Sequence, residues 1–404
     1  MKYEEMINLT NQKMYDLGVS PSKIRELFEY GKHRKAEIGE TRVFDYSLGN
    51  PSVASPDIVN ETLVDLINNM DSTLLHGYTS AAGDLEVRES IALYLNKTYG
   101  TNHLAKYIYL TVGAAASLTI SLNALLNEGE EVIVFAPFFP EYKVFIEKAG
   151  GVIKQVKPVE PTFIPDFLEF ENLINEKTKA VIINSPNNPT GVVYSEEVIK
   201  KIALILREKS LEFNHPIYLI SDEPYRELVY DTIVPFVSKY YDNTIICYSF
   251  SKSLSLPGER IGYILVSEKC VDAEKVYLTL CGASRALGFV CAPSLFQYMI
   301  PSCLGKTTDL EIYKANRDKL YNHLTALGYE VVKPDGAFYL FVKALEEDAN
   351  SFMETAKKYE LLLVPSDSFG YPGYVRIAYC VNPLMVDASL PAFEKLIKEY
   401  KINY

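Results

Sequence analysis

The chain contains no tryptophan, although tyrosine occurs 30 times. Stacking against a flat ligand must therefore fall to Phe, Tyr or His. Paired cysteines are also missing. Cys247, Cys270, Cys281, Cys291, Cys303 and Cys380 are scattered, without a Cys-x-x-Cys spacing. In a chain of 404 residues this reads as reduced structural thiols in a cytoplasmic protein, and no metal site is expected from them. No stretch approaches the ~18–20 continuous apolar residues of a membrane span. Met1-Lys2-Tyr3-Glu4-Glu5-Met6 has no apolar signal core. Positive charge is short: 40 Lys and Arg stand against 52 Asp and Glu, a net charge of −12. That argues against a nucleic-acid or anionic-membrane partner, while leaving room for a local basic pocket that takes a small anion. Internal repeats and low-complexity linkers are absent as well.

What remains is a globular composition, 48% hydrophobic and 23% charged, in a chain too long for one small core. Two domains are expected, one large and one small. Near-continuous apolar runs predict strands at Tyr107–Thr111, Glu131–Phe135, Lys179–Asn184, Ile217–Ser221, Thr244–Ser249 and Ile261–Val266. Such runs suit strands covered on both faces. Helical patterns lie between them, at Ala114–Leu126 and at Glu196–Lys209, the latter with Ser195 as N-cap. Alternating strands and helices predict an α/β fold with a mostly parallel sheet. The last third reads differently. Leu320–Leu327 and Ala392–Tyr400 are helical in pattern, and short strands are expected at Val331–Val332, Phe338–Val342, Leu361–Val364 and Tyr374–Ala378. The expected division is a large domain over 46–290 and a smaller α+β domain made of 1–45 and 291–404.

Ligands on parallel sheets collect at the carboxyl ends of strands, and several polar clusters fall there. Thr111-Val112-Gly113-Ala114-Ala115-Ala116-Ser117 joins a strand to a helix whose free N–H groups and dipole suit an anion. Many such turns bind nothing. Asn184-Ser185-Pro186-Asn187-Asn188-Pro189-Thr190-Gly191 closes a strand and serves either as a turn or to present Asn188 to a ligand. Ser221-Asp222-Glu223-Pro224-Tyr225 closes the next. Its Asp222 is either a helix cap or a carboxylate that keeps a pyridine nitrogen protonated, with Tyr225 in reach of a phenolic oxygen. After a further strand comes Ser249-Phe250-Ser251-Lys252, with Arg260 eight residues on. A lysine at a strand end, among hydroxyls, is either solvated or an amine nucleophile toward an aldehyde such as pyridoxal 5′-phosphate (PLP).

Taken in order, these clusters resemble the fold-type I PLP enzymes, and more narrowly the class I/II aminotransferases related to aspartate aminotransferase. The resemblance runs along nearly the whole chain. Leu48-Gly49-Asn50-Pro51, Tyr78 through Arg88, Pro137-Phe138-Phe139-Pro140-Glu141-Tyr142, Pro334 through Tyr339 and Phe369-Gly370 through Ala378 are similar to that family's other motifs. It implies a seven-stranded, mostly parallel sheet flanked by helices, and PLP as cofactor. Lys252 would carry the cofactor and move a proton at the substrate Cα. Asp222 would pair with the pyridinium nitrogen, and Asn188 and Tyr225 with the phenolic oxygen. Phe139 would stack on the ring. Gly113, Ala114 and Ala115 by backbone, and Ser249, Ser251 and Arg260 by side chain, would hold the phosphate. Tyr78 would reach the phosphate in a neighbouring subunit, so a homodimer is implied.

Arg376 would grip the carboxylate of an L-amino acid or 2-oxo acid, helped by Asn188 and the backbone at Gly49. Arg285, in a stretch similar to one that crosses the dimer, would read a second carboxylate, which favours aspartate- or glutamate-type substrates. Two rivals are weighed. A C–S β-lyase, or a related lyase, keeps the fold and cofactor. A ligand-sensing regulatory module usually carries a DNA-binding extension, for which this chain leaves no room.

Overall fold

The computed structural model describes residues 10–19 and 22–401; the Met1–Met6 stretch lies outside them. Its centre is a seven-stranded sheet of β1 (Ile108–Thr111), β2 (Glu131–Phe135), β3 (Val152–Val156), β4 (Thr178–Asn184), β5 (Tyr218–Asp222), β6 (Thr244–Ser249) and β7 (Gly262–Val266). The spatial order is β1-β7-β6-β5-β4-β2-β3. β7 runs antiparallel to both its neighbours, and the other pairs are parallel. This is the seven-stranded, mostly parallel sheet that the resemblance implied.

Alternate residues of each strand enter different cores, the expected outcome for strands covered on both sides. Val132, Val134, Ile182, Ile220 and Ile245 pack with Leu118 and Leu122 of α2 (Ala114–Leu125) and with Leu280 of α5 (Ala273–Leu287). Ile133, Val181, Ile183 and Leu219 face Ile199, Ile202 and Leu206 of the helix Glu196–Glu212 instead. Six of the seven strands coincide with the sequence expectation to within one residue at each end. β3 was not anticipated. It is an edge strand carrying Lys154 and Gln155, with only Val156 buried, so it lacks the apolar run that marks its neighbours.

A second sheet of four strands, β8 (Val331–Val332), β9 (Tyr339–Lys343), β10 (Val364–Pro365) and β11 (Tyr374–Ala378), has the order β8-β9-β11-β10. The expected strand Leu361–Val364 is divided: Leu361–Leu362 instead pairs in parallel with Phe44–Asp45. The helix α1 (Lys23–Ile38) contributes Leu27 to a small core with Met353, Val364 and Phe369. The two helical segments read near the C-terminus are the ends of longer helices, Leu310–Leu327 and Pro383–Lys401. Among the described residues no helix is long and apolar enough to cross a membrane.

Candidate active site

The register of the large sheet collects the polar strand ends. Asn184 of β4 pairs with Asp222 of β5. Gly262, at the start of β7, lies between Thr111 of β1 and Ser249 of β6. Because β7 is antiparallel, Arg260 enters this edge from the opposite chain direction and reaches the turn at Gly113. A cleft of about 260 Å³ opens here. Its lining includes Gly49, Ala114, Ala115, Phe139, Asn188, Asp222, Tyr225, Ser249, Ser251, Lys252, Arg260 and Arg376, twelve of the fifteen residues proposed from sequence. Gly113 sits directly behind Arg260. Its φ is +94° and an added Cβ would lie 2.7 Å from Arg260 Nη2, so only glycine suits the position. Tyr78 and Arg285 are exposed and outside the lining.

Lys252 stands on a one-turn helix, α4 (Phe250–Ser253), directly after β6. Ser249 caps that turn by accepting from the N–H of Ser251, and its hydroxyl donates to Ser251 Oγ at 2.8 Å. The Lys252 amine donates to the Gly49 carbonyl at 2.7 Å. Burial, with a smaller contribution from Arg376 and Arg260, pushes its pKa down to about 8. At pH 7 that raises the neutral, nucleophilic fraction roughly 300-fold over an ordinary lysine. The pH dependence follows. The rate at which the cofactor-free protein captures PLP should rise about tenfold per pH unit up to about pH 8 and flatten above it. Stopped-flow absorbance would read this, and a rate still climbing through pH 10 would return Lys252 to an ordinary lysine.

Asp222 is buried at the end of β5. Burial drives its carboxyl up to about 7, Glu223 adds to the rise, and a hydrogen bond from the Tyr142 hydroxyl to Oδ2 (2.5 Å) opposes it. Its Oδ1 is buried without a hydrogen-bond partner. Tyr142 appeared in the sequence only as part of a motif; its contact with Asp222 spans 80 positions, which no local pattern reports. Tyr339 is a second such residue. Its hydroxyl lies 2.9 Å from that of Tyr225, and its ring faces the Arg376 guanidinium at 4.6 Å.

Arg376, on β11, is 2% exposed. Nη1 donates to Asn188 Oδ1 at 3.0 Å and Nη2 to the Ser47 carbonyl at 2.6 Å, while Nε has no partner. Both partners are neutral. A buried guanidinium without an anion is costly, and a carboxylate in the cleft offsets that cost.

The chain belongs to a known family: residues 42–392 match the model of the class I and II aminotransferases. It is 31% identical to an aspartate aminotransferase of Thermotoga maritima over 94% of this chain and 98% of that one. It is 29% identical to an aromatic-amino-acid aminotransferase of Thermococcus litoralis over 95% and 97% of the two chains. A crystal structure of an aminotransferase from Eubacterium rectale superposes with a TM-score of 0.95 at 56% identity, covering 97% of this chain and 99% of that one. The protein is a PLP-dependent aminotransferase.

The residues present fit that cofactor. The cleft is lined by an amine of lowered pKa, by an aspartate with a buried, unpartnered oxygen, and by an arginine backed by a glycine turn. When bound, PLP withdraws electrons from the substrate Cα and accepts its amino group.

Proposed function

We propose that this aminotransferase moves the amino group of aspartate- or glutamate-type L-amino acids to 2-oxo acids, as a cytoplasmic homodimer. The observation that carries the reading is Arg376, a buried guanidinium whose hydrogen-bond partners among the described residues, Asn188 and the Ser47 carbonyl, are neutral. It would take the α-carboxylate of the substrate and fix Cα beside the Lys252 amine. Lys252 would then move the proton between Cα and the cofactor's C4′. Asn188 accepts from Arg376 through its oxygen, so its amide N–H groups remain to meet the cofactor's phenolic oxygen beside the Tyr225 hydroxyl. Asp222 would hold the ring nitrogen protonated. Phe139 would stack on the ring. The backbone at Gly113, Ala114 and Ala115 would hold the phosphate with Ser249, Ser251 and Arg260.

The dicarboxylate preference rests on the Thermotoga relative's activity and on Arg285. Within one chain the cleft's cations are Lys252, Arg260 and Arg376, so a second carboxylate would need a cation from elsewhere. Exposed Arg285, at the end of α5, supplies it across the dimer in this reading. Tyr78, 99% exposed in the single chain, would be covered by the same interface while reaching the neighbour's phosphate. Six unpaired cysteines support a reducing compartment. In this reading the large domain spans 46–290, and 1–45 with 291–404 make up the small one. Steady-state kinetics of Arg285→Ala test the specificity: kcat/KM for aspartate should fall about 10²-fold while that for alanine holds. Equal loss for both amino acids would remove Arg285 from the site.

A further inference from the structure

Asp222 has two oxygens in different circumstances. Oδ1 is buried and has no hydrogen-bond partner, and Asp222 lines the cleft. Oδ2 accepts a 2.5 Å hydrogen bond from Tyr142, which is 1% exposed and stands in the first turn of α3 (Glu141–Lys148). Among the described residues, Tyr142 is the side chain that donates to this carboxylate. The other titratable groups near it are Glu223, Tyr225 and Cys247. Glu223 is engaged by Arg226 at 2.6 Å and Ser221 at 2.7 Å. Tyr225 is turned to Tyr339. The Cys247 thiol lies 3.6 Å from Ser121 Oγ. The Tyr142 ring is held between Phe138 and Phe139, at 6.4 and 5.7 Å between centroids.

We propose that Tyr142 is a positioning residue for the reaction: its hydroxyl keeps buried Asp222 ionised, so that the proton shared with the cofactor's ring resides on the pyridine nitrogen. This rests on the reading that Asp222 faces that nitrogen. A buried carboxylate is pressed toward its neutral form, and a protonated Asp222 would leave the ring nitrogen neutral and a poor electron sink. A hydrogen bond to the ionised form acts in the opposite sense. Tyr142 occupies Oδ2 and leaves Oδ1 for the ring nitrogen, so in this reading it stabilises the charge without competing for the nitrogen. Its position on α3 places this control on a different element from Asp222 itself.

The test is the holoenzyme loaded with ¹⁵N-labelled PLP, its ring-nitrogen shift followed against pH by NMR. Tyr142→Phe should lower the pH at which the nitrogen deprotonates by at least one unit. PLP should bind about tenfold more weakly, and kcat should fall roughly tenfold with the KM for the amino acid unchanged. On an Asp222→Asn background, Tyr142→Phe should add nothing further. An unchanged ring-nitrogen transition in Tyr142→Phe, or an additive loss in the double variant, overturns the inference. Asp222→Asn alone separates it from the reading beneath: if that variant leaves the nitrogen shift unmoved, the placement of Asp222 fails first. Should Tyr142→Phe not fold, 3,5-difluorotyrosine at position 142 keeps the shape and strengthens the donor. It should move the transition upward, and no movement overturns the proposal.

Discussion

Replacing Lys252 by alanine should lower the transamination rate by on the order of 10⁴-fold or more, the largest loss expected from any single change in this chain. Two functions disappear together. The covalent hold on PLP is lost, and so is the base that moves the proton at Cα. Nothing nearby substitutes. The other cations lining the cleft are Arg260 and Arg376, and arginine does not give up its proton at working pH. The fold should survive, because a buried amine of lowered pKa contributes little stability. Single-turnover kinetics with a bound amino acid would measure the loss. Added small primary amines should recover part of the rate, since they restore the base without the tether. A variant that keeps more than a hundredth of the wild-type rate would assign the proton transfer to another group.

The second large effect concerns Arg376. Arg376→Ala removes two or three charge-assisted hydrogen bonds to the substrate carboxylate, and kcat/KM should fall about 10³-fold. Arg376→Lys should recover little, because an ammonium cannot replace a planar fork that also serves Asn188 and Ser47. Stability should move the other way or not at all. In the ligand-free chain the guanidinium is buried among neutral partners and aromatic rings, Tyr339 at 4.6 Å and Phe369 at 5.2 Å. Arg376→Met fills similar space without a buried charge, so its Tm should equal or exceed that of the wild type. A Tm clearly below wild type would mean that Arg376 holds the small sheet together and serves the substrate only incidentally.

Much of this was legible from residue order. The apolar runs of β1, β2, β4, β5, β6 and β7 are dense because both faces of these strands are covered, and β4, β5 and β6 end at the cleft in the polar residues Asn184, Asp222 and Ser249. β3 was illegible for the converse reason: at the sheet edge, with one buried residue in five, its composition resembles a loop. The split of Leu361–Val364 between two sheets was equally hidden, since periodicity reports burial but not the partner strand.

Residue identity by itself determined the chemistry. Asn188, Asp222 with Tyr225, Lys252 with Arg260, and Arg376, in this order along the chain, carry the resemblance that implies PLP chemistry at Cα. Tertiary structure decided how those groups behave. The amine of Lys252 titrates near 8 because folding strips water from it, and Asp222 rises to about 7 for the same reason. Tyr142 and Tyr339 became part of the site only through contacts spanning 80 and 114 positions. Side-chain chemistry is a local property and is written in the sequence; desolvation and long-range hydrogen bonding depend on what the folded chain places nearby, and exist only once it has folded.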